Sequence, residues 1–388
     1  MPTHPEHQEL RDLVRRFARE HLAPYAAVRD REEHFDAGTF RRLGDIGVLG
    51  LLAPERHGGS GLDATAAAVV HEELAAADPG MALAVLAHSV MFIGCLAQSG
   101  NEALCERFLS AACEGRSIGA VAMSEAHAGT DVTAMRTRAR RVEGGYMLDG
   151  SKMWITNGAL GPGKLGELFL VYARTSDDGI RGLSLFLLEG GQPGFTLGRN
   201  IGGKLGMRSA TCAELAFQDC FVAEGQRLGA EGMALFQMLR TLEIERLMLA
   251  AIGVGIARRA LEVMNRYATL RESSGQRIRE FGQIQAHLAE SYASYRAGRA
   301  YLYETAAGMR PGRSAALDAD GVKLFCASMA KTVADRAIQV LGGNGYLADY
   351  DVERLWRDAR LLEIGGGTNE SLQKNITRLL ARVDSLEP

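Results

Sequence analysis

At 388 residues, 47% hydrophobic and 23% charged, the chain is long enough for two or three domains and apolar enough to give each a core. Its net charge of −3 and the lack of any block of like charges argue against nucleic-acid binding and polybasic membrane attachment. Six cysteines without a Cys-x-x-Cys pair, and nine histidines without a His-x-x-x-His spacing, predict a reducing, cytoplasmic setting with no disulfide framework and no metal site.

The first twenty residues are polar and of mixed charge, unlike a secretory or transit leader. No run of about 18 uninterrupted apolar residues is present, so no membrane span is expected. Leu10, Leu13, Val14, Phe17 and Ala18 recur at helical spacing, and Pro24 ends that pattern. Pro54 to Gly61 reads as a turn-rich loop, with Asp63 capping an Ala-rich helix that runs to about Ala77. Further helices are predicted over 82–98 and 102–112. The period then changes to two, over 118–123, 146–154, 168–173, 183–188 and 212–217, with Glu143-Gly144-Gly145 as a hairpin turn. Helical spacing returns over 231–272, 283–309, 314–341 and 369–382. This order predicts an α+β chain: an N-terminal helical domain (1–117), a central, mostly antiparallel β domain (118–228) and a C-terminal helical bundle (229–388). No Gly-x-Gly-x-x-Gly follows a strand and no Walker-type loop occurs, so a nucleotide cofactor would bind without a Rossmann turn.

Three segments carry candidate chemistry. Ala122 to Asp131 and Lys152 to Gly158 combine hydroxyls, glycines and Trp154 on short β segments, a surface suited to a flat polar ring, or equally to a plain hairpin over a tryptophan. Met238, Leu242, Glu245, Leu249 and Ile252 are spaced 4, 3, 4, 3, which sets Glu245 on an apolar stripe. Burial there raises a carboxyl from its usual ~4.3 toward neutrality, as a general base needs, although a structural carboxylate would sit in the same pattern. Arg246 adjoins Glu245, but Glu243 and Arg246 at i,i+3 are the pair expected to meet. Arg357-Asp358-Ala359-Arg360 and the run Gly365-Gly366-Gly367 form another catalytic-looking place, with Thr368 or Asn369 starting the last helix. A flexible turn would read the same way.

In order and spacing these segments resemble the acyl-CoA dehydrogenase family, most closely its isovaleryl-CoA dehydrogenase members, over nearly the whole chain. Pro54 to Gly61, Lys204 to Arg208, Leu242 to Leu249, Leu341 to Tyr346, Arg357 to Arg360 and the glycine run all take part. The resemblance implies FAD, a C-terminal four-helix bundle and a homotetramer with FAD between subunits. It further implies an acyl-CoA thioester as substrate and electron-transferring flavoprotein as acceptor. By position, Met123, Ser124, Gly129, Thr130, Trp154 and Thr156 would hold the flavin end. Arg271, Gln339 and Gly343 would bind the rest of FAD, Arg271 across the dimer, with Thr368 and Glu370 completing the set. Thr130, Arg181, Phe236, Glu243 and Arg246 match contacts to the acyl thioester. The implied reaction removes a proton α to the thioester carbonyl while the β hydrogen passes as hydride to flavin N5. The backbone N–H of Gly366 and a ribityl hydroxyl would support the thioester oxygen.

Most short- and medium-chain members carry the catalytic glutamate where this chain has Gly366, whereas isovaleryl- and long-chain-type members supply it from the position of Glu245. The resemblance therefore assigns the base to Glu245. Gly365 replaces a tyrosine of straight-chain enzymes, which implies a wider pocket and a short or branched acyl group. The match departs at Ala126, His127, Ser274, Gly282 and the longer turn Ala159 to Glu167; His127 reads as a turn filler. Three alternatives share the pattern: oxidation of a carrier-protein-bound acyl group, a flavin-dependent oxygenase, and a catalytically silent flavin-binding protein.

Overall fold

Acidic and amide caps open the helices of the first third. The computed structural model describes residues 5–310 and 312–382. Its first helices are α1 (Pro5–Phe17), α2 (Ala26–Glu32), α3 (Ala37–Asp45), α4 (Ala64–Ala75), α5 (Pro79–Val85), α6 (Gly94–Ala97) and α7 (Glu102–Cys113). Asp36, Asp63, Asp78 and Asn101 each accept from a backbone N–H of the helix they precede, satisfying a donor the first turn leaves unpaired. Asp63 thus caps α4 as the sequence predicts.

Between α5 and α6 the rod continues as a π-helix, Leu86–Ile93. The stretch Pro79–Ala97 has a mean hydropathy of 2.0 and is long and apolar enough to cross a membrane, a property that counting uninterrupted apolar residues overlooks. Yet 83% of it is buried inside the protein. His88 within it stands 3.0 Å from the Ala112 carbonyl through Nε2 and accepts from the Gly119 N–H through Nδ1 at 2.8 Å. Burial holds that imidazole down to about 4, so it ties the rod to its neighbours as a neutral ring.

The strands are β1 (Gly119–Ala122), β2 (Arg138–Val142), β3 (Gly145–Thr156), β4 (Ala159–Gly161), β5 (Lys164–Leu165), β6 (Leu168–Arg174), β7 (Leu183–Glu189), β8 (Phe195–Asn200), β9 (Cys212–Ala223) and β10 (Arg227–Leu228). The main sheet runs β10-β7-β6-β2-β3-β9-β8, and β1 lies parallel to β6. β2 takes over the same edge of β6 at Arg174, and the longer pairings are antiparallel. The predicted hairpin turn joins β2 to β3, with Val142 opposite Gly145. β2 and β8 escaped prediction because each exposes most of its side chains, so period two carries little apolar signal. The long turn after β3 folds into its own hairpin, β4 with β5.

The last third holds α8 (Ala234–Leu270), a small hairpin β11 (Glu272–Ser273) with β12 (Gln276–Arg277), α9 (Gly282–Gly308), α10 (Ala316–Leu341), α11 (Val352–Leu362) and α12 (Asn369–Leu380). α8 is the axis: α10 and α9 pack on it from the bundle and α4 from the N-terminal helices. Two glycines permit that grip. A β-carbon at Gly253 would stand 2.9 Å from the Cys326 carbonyl on α10, and one at Gly255 would stand 2.4 Å from the Glu72 carbonyl on α4.

Candidate active site

The apolar stripe of α8 does what its spacing predicts. Met238, Leu249 and Ile252 are buried, and Glu245 between them is only 8% exposed. Burial pushes its carboxyl up to about 7 against the opposing charges of Arg246 and Lys323, and Oε2 has no hydrogen-bond partner among the described residues. An orphaned acid acceptor in an apolar setting is costly unless something else uses it.

Facing it is the glycine run. Gly366 has φ +66, and a β-carbon there would stand 2.3 Å from Leu249 Cδ1 and 3.5 Å from Glu245 Oε1. A side chain at 366 would therefore compete for the space Glu245 and Leu249 fill. Gly365 differs: a β-carbon there would meet nothing closer than the Leu361 carbonyl at 3.6 Å, so its missing side chain leaves open room.

Arg246 departs from its expected pairing with Glu243. Its guanidinium donates to Asp320 Oδ1 at 2.5 Å and to the Gly366 carbonyl at 3.0 Å. Glu243 instead accepts from the Ser314 hydroxyl at 2.6 Å and the Ala315 N–H at 2.9 Å, serving the start of α10. The reason is burial: Asp320 is 1% exposed, and a charge pair in that medium outweighs a solvated i,i+3 contact worth about 0.2–0.5 kcal/mol. Beyond the glycines, Thr368 caps α12 by accepting from the Ser371 N–H at 3.2 Å. Glu370 lies exposed in that first turn, its carboxyl held below the usual range by its own backbone N–H and by Thr368.

The two flavin-type segments are tied together by a buried pair that sequence reasoning missed. Lys152, with no exposed surface, donates to the Met123 carbonyl and to Glu125 Oε1, each at 2.9 Å. Glu125 also accepts from the N–H groups of Arg136 and Thr137, and the Met153 N–H donates to the Ser124 carbonyl at 2.9 Å. Burial lowers the Lys152 ammonium to about 8; for Glu125, burial is outweighed by Lys152 and the N–H donors, which hold it at about 2. The frame presents Trp154 outward, 53% exposed with φ +61. Gly129 sits beside its ring, where a β-carbon would stand 3.8 Å from Cζ3. Thr130 is exposed as well, and Met123, Ser124 and Thr156 are half-buried. An exposed indole in left-handed backbone, bordered by a side-chain-free glycine and hydroxyls, fits a flat aromatic cofactor. His127 lies on the neighbouring turn, Nε2 3.5 Å from Glu125 Oε2.

Met123 and Leu242 pack against one buried cluster that includes Tyr172 and Met238, so the β frame and the start of α8 share a core. Arg181 and Phe236 are both exposed beside that start, the Arg181 carbonyl lying against Gly232. Arg271, Gln339 and Gly343 are exposed at the far ends of α8 and α10 and do not join this cluster. At about 1.5 Å of rise per residue, Arg271 lies roughly 39 Å along α8 from Glu245. Ser274 occupies the β11–β12 turn with φ +51, and Gly282 opens α9 where a β-carbon would meet nothing within 4 Å.

Arg357-Asp358-Ala359-Arg360 is corrected. It lies within α11, where Arg357 pairs with Asp30 at 2.6 Å and Glu353 at 2.7 Å, and Asp358 accepts from the Met207 N–H at 2.5 Å. These residues fasten α2 and the 204–208 loop to the bundle. Elsewhere, His57 Nε2 stands 3.1 Å from Glu102 Oε1, and with Cys105 Sγ these ligand-type atoms fall within 4.8 Å of one another, a grouping the histidine spacing does not reveal.

The sequence matches the acyl-CoA dehydrogenase N-terminal domain over residues 4–116, the middle domain over 120–220 and the C-terminal domain over 231–381. It is 39% identical to an isovaleryl-CoA dehydrogenase, mitochondrial, of Oryza sativa subsp. japonica, over 96% of this chain and 90% of that protein. The structure superposes on butyryl-CoA dehydrogenase from Megasphaera elsdenii with a TM-score of 0.94 and 32% identity, covering 98% of this chain and 100% of that one. It also resembles an FAD complex of PigA, with a TM-score of 0.93 at 27% identity over 98% and 99% of the two chains. The stripe glutamate, the glycine run and the tryptophan frame thus stand in a chain that belongs to the acyl-CoA dehydrogenase family, a family of FAD-binding flavoenzymes.

Proposed function

We propose that this acyl-CoA dehydrogenase oxidises a short or branched acyl-CoA at Cα–Cβ, with Glu245 as the base. The observation carrying this reading is the orphaned Glu245 carboxylate beside Gly366. An acid near 7 is partly ionised at neutral pH yet basic enough to take a weakly acidic α proton. Gly366 offers a backbone N–H to the thioester oxygen, where negative charge develops, and such a donor is worth about 10²–10³ in rate. Gly365 leaves room for a branch beside the reacting bond. Thr130, Arg181, Phe236, Glu243 and Arg246 complete the thioester site, Arg246 by holding the Gly366 carbonyl.

FAD, when bound, supplies the two-electron acceptor. Met123, Ser124, Gly129, Thr130, Trp154 and Thr156 hold its ring end. Arg271, Gln339, Gly343, Thr368 and Glu370 hold the remainder, and the distance of Arg271 from Glu245 supports its serving a second subunit of a homotetramer. Likeness to a solved structure of the electron transferring flavoprotein of Acidaminococcus fermentans, 32% identical to this chain with a TM-score of 0.95, favours electron-transferring flavoprotein as the acceptor.

Anaerobic titration of the flavin-loaded protein with isovaleryl-, isobutyryl-, butyryl- and octanoyl-CoA tests the reading. Bleaching of the flavin is expected first with the branched chains, and Glu245→Gln should bind them while slowing bleaching about 10²–10⁴-fold. Preference for octanoyl-CoA, or no effect of Glu245→Gln, would overturn it.

A further inference from the structure

Lys323 sits on the inner face of α10 with no exposed surface, and its Nζ donates to the Gly367 carbonyl at 2.6 Å. Arg246, on α8, donates to the preceding carbonyl, that of Gly366, at 3.0 Å. Two cations from two helices therefore hold two consecutive carbonyls of a turn whose glycines have φ +66 and +100. Glycine backbone is intrinsically loose, so these two bonds do much to set where its N–H groups point.

The grips are not equivalent. Arg246 is neutralised by Asp320, whereas Lys323 forms no carboxylate ion pair among the described residues. Burial lowers its ammonium to about 8, Arg246 adds to that, and Glu245, Glu363 and Asp320 oppose it. Glu363 is committed to Lys331 and Arg360, and Asp320 to Arg246, which leaves Glu245 as the carboxylate with no partner of its own. The groups acting on Glu245 are Arg246 and Lys323, and Glu245 in turn acts on the buried Tyr172. A buried unpaired ammonium is expensive, and packing alone would be served by an apolar side chain of the same volume.

We infer that Lys323 is a positioning residue for the acyl-thioester oxidation: it fixes the Gly365–Gly367 turn so that the Gly366 N–H meets the thioester oxygen, and it lends positive charge to the buried Glu245. The inference rests on the functional reading above.

Lys323→Met keeps most of the length and removes the charge. It should lower kcat at pH 7 about tenfold, part of the 10²–10³ that losing such a donor outright costs. The acid limb of kcat against pH should move to higher pH, so the deficit shrinks as pH rises. The carbonyl stretch of a bound enoyl-CoA, read by infrared difference spectroscopy without turnover, should move back toward its value in water. An unmoved limb with an unmoved stretch overturns the inference. Lys323→Gln keeps a donor without the charge and should shift the limb while retaining more of the carbonyl polarisation. If Lys323→Met does not fold, the limb of Lys323→Gln decides, and an unmoved one overturns the inference. A parent protein that oxidises no acyl thioester, or ignores Glu245→Gln, would instead overturn the functional reading.

Discussion

Glu245 Oε1 lies 3.5 Å from the point a β-carbon on Gly366 would occupy, and Leu249 Cδ1 lies 2.3 Å from it. The two positions share one small volume, entered from α8 on one side and from the turn before α12 on the other. Gly366→Glu should therefore not add a second base. Overpacking against Leu249 costs about 1–3 kcal/mol, and a side chain at φ +66 about 1–3 kcal/mol more. Moving the base needs three changes together: Gly366→Glu to supply it, Glu245→Gly to vacate its place, and Leu249→Ala to make space. Turnover of the triple variant should exceed that of Gly366→Glu alone, with both measured on isovaleryl-CoA.

The same burial fixes how stability depends on pH. Glu245 titrates in the folded protein near 7, above its ordinary 4.5, so the folded state binds the extra proton. Stability from this group is complete below 4.5 and is lost as pH rises through 7. At 1.36 kcal/mol per unit the loss is about 3 kcal/mol by pH 8.5. Glu245→Gln removes the titration. It should match the parent in urea unfolding at pH 4.5 and exceed it by up to about 3 kcal/mol at pH 8.5. Activity runs the opposite way, because the parent needs the ionised form, and kcat/KM should rise through pH 7.

What was readable before the structure follows how local each signal is. Glu245 was legible because the 4, 3, 4, 3 spacing lies within one helix, and Asp63 because a cap reads across three residues. The partner of Arg246 was not, since Asp320 is 74 residues away on another helix. Lys323 left a trace that went unused: Ala319, Lys323, Ala327 and Ala330 share one buried face, the pattern that exposed Glu245. Lys152 left less, because the register shifts in β3 decide which of its side chains turn inward. α11 was hidden by its charge: Arg354, Arg357 and Asp358 look like surface or site residues until Asp30, Asp351 and the Met207 N–H meet them.

The Lys152–Glu125 pair predicts a loss of cofactor rather than of chemistry. Lys152→Met strands the Glu125 carboxylate with the Arg136 and Thr137 N–H groups and the imidazole of His127, and no ammonium. Breaking one side of such a pair costs about 3–5 kcal/mol. The Met123 carbonyl loses its ammonium donor at the same time, loosening the strand edge beside Ser124. Flavin-to-protein ratio and melting temperature should both fall. Adding Glu125→Gln to Lys152→Met should recover part of the stability, because the uncompensated charge is gone.

Gly365 predicts a change of substrate. A β-carbon there meets nothing closer than 3.6 Å, from the Leu361 carbonyl, so Gly365→Tyr meets no clash at its first atom. Its ring would then fill the room that a branch at the acyl β-carbon occupies. Excluding one methyl group is worth about 1–3 kcal/mol of discrimination, or roughly 10–200-fold. Isovaleryl-CoA kcat/KM should fall by that factor while butyryl-CoA kcat/KM changes little, since an unbranched chain does not use the space. Stopped-flow reduction with each thioester measures both. An equal loss for the two substrates would place Gly365 outside the acyl pocket, with backbone conformation rather than side-chain volume as its role.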